Sequence, residues 1–258
     1  MAQTMTGTVN KPAWVDLASA DAAAAREFYG SLFGWEVEVN PDPQYGGYAI
    51  ARINGQDAAG IGPKMDPNGP TVWNVYIGTD DIEALAARVT GAGGNVLMAP
   101  FDVGEQGRMA VFQDPTGGVI SSWQGTRMGG FQTEGPNAFG WAELNARGVE
   151  KALPFYTAIF GWTPDTSPMG EGMPPYTEFK LNDQRVAGAT EMNSMVPAEV
   201  PSYWLVYFDV ANVDESFAKA TSLGAKPMLP PMDFPGGRFA IVSDLDGAAF
   251  GVMTLKPR

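Results

Sequence analysis

Two carboxylates occupy matching places in this chain: Asp16 in WVDL (14–17) and Glu143 in WAEL (141–144). Each follows a tryptophan by two residues, and in a β-strand alternate side chains face opposite sides. Trp14 and Asp16 therefore share one face, as do Trp141 and Glu143, while Val15 and Leu17 suit a face covered by a helix. A carboxylate beside an indole in a partly dry pocket holds its proton more tightly, which suits it to general acid–base work. The competing reading is structural: an acid near a strand start can be solvated, or paired with an arginine such as Arg108 or Arg238. Composition closes off other chemistry. The 258 residues include no histidine and no cysteine, which removes imidazole catalysis, thiolate nucleophiles, disulfides and zinc–thiolate sites together. GAGG (91–94) reads as a helix-to-strand turn, and no phosphate-cradling glycine loop follows a strand in the required context.

What must position these acids is a repeated unit. The stretch from Trp14 to Trp35 returns as Trp141 to Trp162 without a gap, at an offset of 127 residues and with eight identities in 22 positions. Residues 71–100 match 202–231, and residues 107–120 match 237–250, so the chain is two copies of one domain. The expected boundaries are an N-terminal extension at 1–11, domains at 12–125 and 138–258, and a Gly-rich join at 126–137. Each copy divides again into a strand, a helix entered through Asp21 or through Asp80 or Asp81, and three strand-like runs. Pro154 falls inside the third helix and predicts a kink or a late start. The fold class is α+β, with four βαβββ units.

With 45% hydrophobic and 17% charged residues the chain can bury a large core. A net charge of −13 without a basic stripe argues against nucleic acid or an anionic membrane as partner. The apolar runs are too short to span a bilayer, and MAQTMTGTVNKPAW lacks the apolar centre of a secretory signal. The expectation is a cytoplasmic protein, monomeric or a homodimer, whose partner is a small molecule.

Paired βαβββ units, with FYxxxFGW closing the first helix of each copy and DPTG (114–117) before a last strand, resemble the vicinal oxygen chelate superfamily. This is the fold of glyoxalases, bleomycin-resistance proteins and extradiol dioxygenases. The resemblance covers the whole chain and is nearest to tandem members described as glyoxalase-like antigens or hydroxylases. It implies two cup-shaped half-barrel domains, each cup lined by the strand faces that carry Asp16 or Glu143. It does not imply an activity, because one fold hosts many.

Metal enzymes of that family carry His, Gln or Glu at set strand positions. Here those positions hold Trp14, Asn74 and Ser121 in the first domain and Trp141, Leu205 and Gly251 in the second. A site for zinc, nickel or iron needs several imidazole or carboxylate ligands, so no metal and no other cofactor is expected. Instead Trp14, Asn74, Tyr76, Ser121 and Trp123 would line one cup, and Trp141, Leu205, Tyr207 and Met253 the other. Aromatic faces would stack on a flat apolar ligand, Tyr hydroxyls and an indole N–H would orient it, and Gly251 and Ser121 would leave it space. The leading expectation is metal-independent binding of a bulky, largely apolar or aromatic molecule, for sequestration or natural-product tailoring. A second is an isomerase, cyclase or lyase with Asp16 and Glu143 as acid–base groups and Asn74 and Tyr76 steadying an oxyanion. A third is a glyoxalase- or dioxygenase-like metal enzyme. Trp35 and Trp162 read as core packing.

Overall fold

The computed structural model describes residues 8–128, 130–170, 174–193 and 196–256; the first seven residues of the expected N-terminal extension lie outside them. The first unit runs β1 (Pro12–Ser19), α1 (Ala22–Phe33), β2 (Glu36–Val39), β3 (Ala49–Ile53) and β4 (Gln56–Pro63). The second runs β5 (Val72–Gly78), α2 (Ile82–Gly91), β6 (Asn95–Val103), β7 (Gly107–Gln113) and β8 (Val119–Gly125). The third comprises β9 (Phe139–Ala146), α3 (Leu153–Phe160), β10 (Thr163–Ser167), β11 (Tyr176–Leu181) and β12 (Gln184–Glu191). The fourth comprises β13 (Tyr203–Asp209), α4 (Val213–Ser222), β14 (Lys226–Phe234), β15 (Gly237–Ser243) and β16 (Ala249–Leu255). The strands form two mixed eight-stranded sheets, ordered β2-β3-β4-β1-β5-β8-β7-β6 and β10-β11-β12-β9-β13-β16-β15-β14. In every unit the first strand runs parallel to the last and the remaining pairs are antiparallel.

Local chemistry sets the helix ends. The Asp21 carboxylate accepts from the Ala23 and Ala24 amides, Asp81 accepts from Ala84, and Asn212 accepts from Glu215, which satisfies N–H groups that have no partner within a helix. Gly34 and Gly161 close α1 and α3 in the left-handed conformation, a C-terminal position that glycine fills without steric cost. Pro154 sits in the first turn of α3, after a 3-10 turn at Val149–Lys151. There its missing N–H deprives the helix of nothing, so it delays the start without kinking the interior.

Packing divides the chain differently from the sequence repeat. One compact unit takes the chain up to Trp14 together with Val75–Gly130 and Ala142–Trp204; the other takes Val15–Asn74, Phe131–Trp141 and Leu205–Arg258. In the second of these, Phe33 of α1 meets Phe208 of β13 with ring centroids 4.9 Å apart, and Tyr29 meets Phe250 of β16 at 5.3 Å. In the first, Tyr156 and Phe160 of α3 gather with Trp162, Phe179 and Trp204, and α2 packs on α3. Each such ring, fully buried, stabilises its unit by about 1.5–3 kcal/mol relative to exposure.

Candidate functional site

Strand parity is fixed by two indole hydrogen bonds. Trp73 Nε1 donates to the Tyr29 hydroxyl at 2.9 Å, and Trp204 Nε1 donates to the Tyr156 hydroxyl at 2.9 Å. Trp73 and Trp204 thus face helices α1 and α3, and alternation leaves Asn74 and Tyr76 on β5, and Leu205 and Tyr207 on β13, on the opposite face.

In the unit that holds Val15–Asn74, Asp16 is 9% exposed and both carboxylate oxygens are engaged. Asn74 Nδ2 donates to Oδ1 at 2.9 Å and the Tyr48 hydroxyl donates to Oδ2 at 3.1 Å. Tyr48 reaches Asp16 by lying across β4, where Gly60 pairs with Asp16 in register. A Cβ at Gly60 would overlap the Tyr48 hydroxyl and stand 2.9 Å from Asp16 Cβ, and one at Gly62 would stand 2.6 Å from the Tyr48 ring. The two glycines are what let the phenol lie flat. The alternative that Asp16 pairs with an arginine is not realised at the named residues. Arg108 binds Glu83 (2.8 Å) and Asp102 (3.0 Å), and Arg238 binds Asp214 (2.8 Å) and Asp233 (3.0 Å).

The same unit carries Leu205, Tyr207 and Met253, all buried, and the half-exposed Trp141. Tyr207 pairs with Gly251 in register, and its ring lies so close that a Cβ at Gly251 would overlap it. The expectation that Gly251 leaves ligand space is corrected here: the Tyr207 ring takes that space. Phe239 lies 6.1 Å from Tyr207 and Phe234 lies 5.7 Å from Phe239, edge to face. Asp209, next on this face after Tyr207, was missed by the sequence reading. Its Oδ1 is buried with no hydrogen-bond partner among the described residues, and burial pushes its carboxyl up to about 6.

In the other unit Trp14, Tyr76, Ser121 and Trp123 are all buried, and Tyr76 pairs with Ser121 in register. Trp123 lies against Gly107, where a Cβ would stand 2.7 Å from its ring, and its Nε1 donates to the Met128 carbonyl at 2.9 Å. The indole N–H expected to orient a ligand is therefore occupied at Trp123. Glu143 stands apart from its first-copy counterpart. On β9, Ala142, Leu144 and Ala146 are fully buried while Glu143 and Asn145 stay half-exposed. Asn145 Nδ2 donates to Glu143 Oε1 at 3.1 Å. Tyr203, at the start of β13, has its phenol raised by burial and then by the Glu143 charge.

The motifs that carried the family resemblance are tied to one another. Tyr29 of the first FY pair donates to Asp244 at 2.9 Å, and Tyr156 of the second donates to Asp114 at 2.8 Å. The other oxygen of each aspartate holds its own turn: Asp114 accepts from Thr116 and Gly118 amides, and Asp244 from those of Asp246 and Ala248. Trp35 and Trp162 are core residues whose Nε1 atoms donate to the carbonyls of Asn137 (2.8 Å) and Asn10 (2.7 Å). Both asparagines hold φ near +60°, a conformation asparagine tolerates better than most residues.

Among the described residues, the positions where the resemblance implies metal ligands do not carry matching donors. Among the described residues no group of three or more His, Cys, Asp or Glu converges. Trp14, Asn74, Ser121, Trp141, Leu205 and Gly251 offer one amide and one hydroxyl where zinc, iron or manganese needs imidazoles and carboxylates.

The chain belongs to the Glyoxalase/Bleomycin resistance protein/Dioxygenase superfamily, whose family model matches residues 11–121 and 138–252. It is 39% identical over 254 residues to "Putative glyoxylase CFP32" of Mycobacterium tuberculosis, covering 96% of this chain and 95% of that one. It is also 39% identical over 261 residues to the anthracycline biosynthesis protein DnrV of Streptomyces peucetius, covering 95% and 93%. Among solved structures it resembles the Mn(II)-bound glyoxalase of Novosphingobium aromaticivorans, with a TM-score of 0.65 at 16% identity over 96% of this chain and 83% of that one. The 2,2',3-trihydroxybiphenyl 1,2-dioxygenase of Sphingomonas wittichii gives 0.65 at 15% identity, covering 95% and 90%. At these identities the structural likeness concerns the fold alone. No helix among the described residues is long and apolar enough to cross a membrane.

Proposed function

We propose that this protein binds a bulky, largely apolar or aromatic small molecule without a metal ion, in the tailoring or sequestration of a natural product. The observation that carries this reading is Asp16, whose two oxygens are already held by Asn74 and Tyr48. A carboxylate held in place by an amide and a phenol keeps acceptor sites for a ligand's hydrogen-bond donor, and among the described residues no group of three or more acids, imidazoles or thiols gathers there to complete a cation site. Membership of the superfamily supports a small-molecule site, and the relative named for anthracycline biosynthesis supports a polycyclic aromatic substrate class. The protein acts in the cytoplasm as a monomer or homodimer. Titration with tetracyclic aromatic polyketides, followed by calorimetry, tests the reading: saturable binding unchanged by chelators is expected. Stoichiometric zinc, iron, nickel or manganese in the purified protein, lost together with binding, would overturn it.

A second reading is favoured by Tyr48. Its hydroxyl oxygen lies 3.1 Å from Asp16 Oδ2 and donates to it, so the pair can pass a proton to a substrate and recover it. A metal-free isomerase, cyclase or lyase would use it so. Turnover of an identified substrate that survives Asp16→Asn would remove this role.

A further inference from the structure

At the start of its second helix each copy builds the same frame and fills it differently. In the first copy Arg108 bridges Glu83 of α2 and Asp102 of β6; in the second Arg238 bridges Asp214 of α4 and Asp233 of β14. The strand residue paired with each arginine is Gln124 on β8 and Thr254 on β16. Gln124 Oε1 accepts from the amide of Ile82, the first residue of α2, at 3.0 Å. Thr254 is too short to do the same, and its hydroxyl turns away to donate to the Val210 carbonyl at 2.6 Å. The Asn212 cap of α4 accepts from Glu215, so the amide of Val213, the first residue of that helix, donates no hydrogen bond among the described residues. Where Gln124 lies in the first copy, the second has a hollow of about 330 Å³ whose walls include Val213, Asp214, Arg238, Thr254, Leu255 and Lys256. A cavity of about 300 Å³ or more has room for a small organic molecule.

The first copy shows what this niche accepts: an oxygen on a planar carbonyl group, seated on the helix amide. The other substitutions around the hollow say what should carry that oxygen. Lys256 stands where the first copy has Thr126; it forms no ion pair among the described residues, and its Nζ donates to the Pro235 carbonyl at 3.3 Å. The acids Asp214 and Asp233 are already matched by Arg238. What is left over is an ammonium and the positive end of a helix, both of which favour an anion. Leu255, exposed, replaces Gly125 and offers an apolar wall. Thr254 alternates with Met253, so the hollow lies on the opposite side of the sheet from Tyr207 and Gly251.

We infer that this hollow is a separate binding site for a small organic acid: the carboxylate takes the Val213 amide where the first copy uses Gln124, Lys256 balances its charge, and the apolar body rests on Leu255. The site does not use Asp16 and does not depend on the function proposed above. Titration of the isotope-labelled full chain with 2-naphthoate and with 2-naphthamide, followed by NMR, tests it. The Val213 amide signal should shift saturably with the acid. The amide should bind about tenfold more weakly, the difference between a charged and a neutral acceptor. Thr254→Gln, which supplies the side chain of the first copy, should abolish the shift while leaving a cooperative melt. Lys256→Met should bring the acid down to the affinity of the amide and leave the amide unchanged, which also shows that the fold survives. No saturable shift at Val213, a shift that survives Thr254→Gln, equal binding of acid and amide, or a preference for the acid that persists in Lys256→Met would each overturn the site.

Discussion

The Asp209 carboxylate occupies the space that Gly140 leaves by having no side chain: a Cβ on Gly140 would stand 2.6 Å from Asp209 Oδ1. The first copy solves the same junction the other way round, with Ala13 where the second has Gly140 and Gly78 where it has Asp209. In both copies an asparagine in the left-handed conformation delivers its amide to this residue's carbonyl, Asn10 to Gly78 at 2.8 Å and Asn137 to Asp209 at 2.6 Å. The junction is therefore a common design in which a methyl group on one strand has been exchanged for a carboxyl on its neighbour.

That exchange gives the protein a pH dependence of definite sign. Burial raises the folded carboxyl of Asp209 from 3.8 to about 6, so between those values the folded chain binds more protons than the unfolded one. Stability contributed by this group is full below the unfolded value and is lost as pH rises through the folded value. Because the side chain is half-buried, solvent screening limits the loss to about 1–2 kcal/mol. Asp209→Asn should melt higher than the wild type at pH 7–8 and converge with it near pH 4. Thermal melts of both proteins across that range give the difference curve, and a flat difference would contradict the assignment.

Gly140→Ala alone should destabilise by about 1–3 kcal/mol, since the new methyl meets a carboxylate in a packed interior. Combined with Asp209→Gly, which recreates the Ala13 and Gly78 pairing, the cost should largely vanish. Such coupling is read from a double-mutant cycle in denaturant; additive effects would show that the two residues do not share the niche.

Tyr29→Phe and Tyr156→Phe test the links from the FY pairs to the DLDG (244–247) and DPTG (114–117) turns. Each removes one hydroxyl that both receives an indole N–H and donates to an aspartate, leaving Trp73 and Asp244, or Trp204 and Asp114, without that partner. A buried donor and a buried carboxylate oxygen left unmatched cost about 1–3 kcal/mol each. Both variants should therefore melt well below the wild type. A loss of a few tenths of a kcal/mol at either position would mean that water replaces the phenol.

Much of the architecture is legible in the residues themselves. The period-two alternation around Trp14 and Trp141, the Asp21 cap and the recurrence of FYxxxFGW are local signals, and local signals decide strands, helix ends and repeats. The site is less legible because it depends on glycines. That Tyr48 lies flat on Gly60 and Gly62, that Tyr207 fills the space over Gly251, and that Asp209 settles over Gly140 all follow from the absence of a Cβ on a neighbouring strand. A single sequence does not say which strand that neighbour is. The clue to Asp209 was present in the paired exchange of Ala13 and Gly78 for Gly140 and Asp209, but it has meaning only once the strands are known to touch. The pairing of α1 with the fourth unit and α2 with the third likewise lies beyond any signal within one copy.

Gly60 provides the sharpest test of the Asp16 group, because it acts without touching the carboxylate's charge. A Cβ there would overlap the Tyr48 hydroxyl, so Gly60→Ala must drive the phenol off Asp16 or strain β4, at a cost of about 1–3 kcal/mol. Tyr48→Phe removes the same hydrogen bond but keeps the ring in place and the strand unstrained, costing about 0.5–2 kcal/mol. If Asp16 with its phenol anchors the ligand, both variants should weaken binding of a tetracyclic aromatic compound by a similar factor, although they differ in stability. If the ring alone matters, Tyr48→Phe should bind like the wild type and only Gly60→Ala should fail. Calorimetry on the two variants, each first checked for an intact melting transition, separates the hydroxyl from the ring; unaltered affinity in both would remove Asp16 and Tyr48 from the binding site altogether.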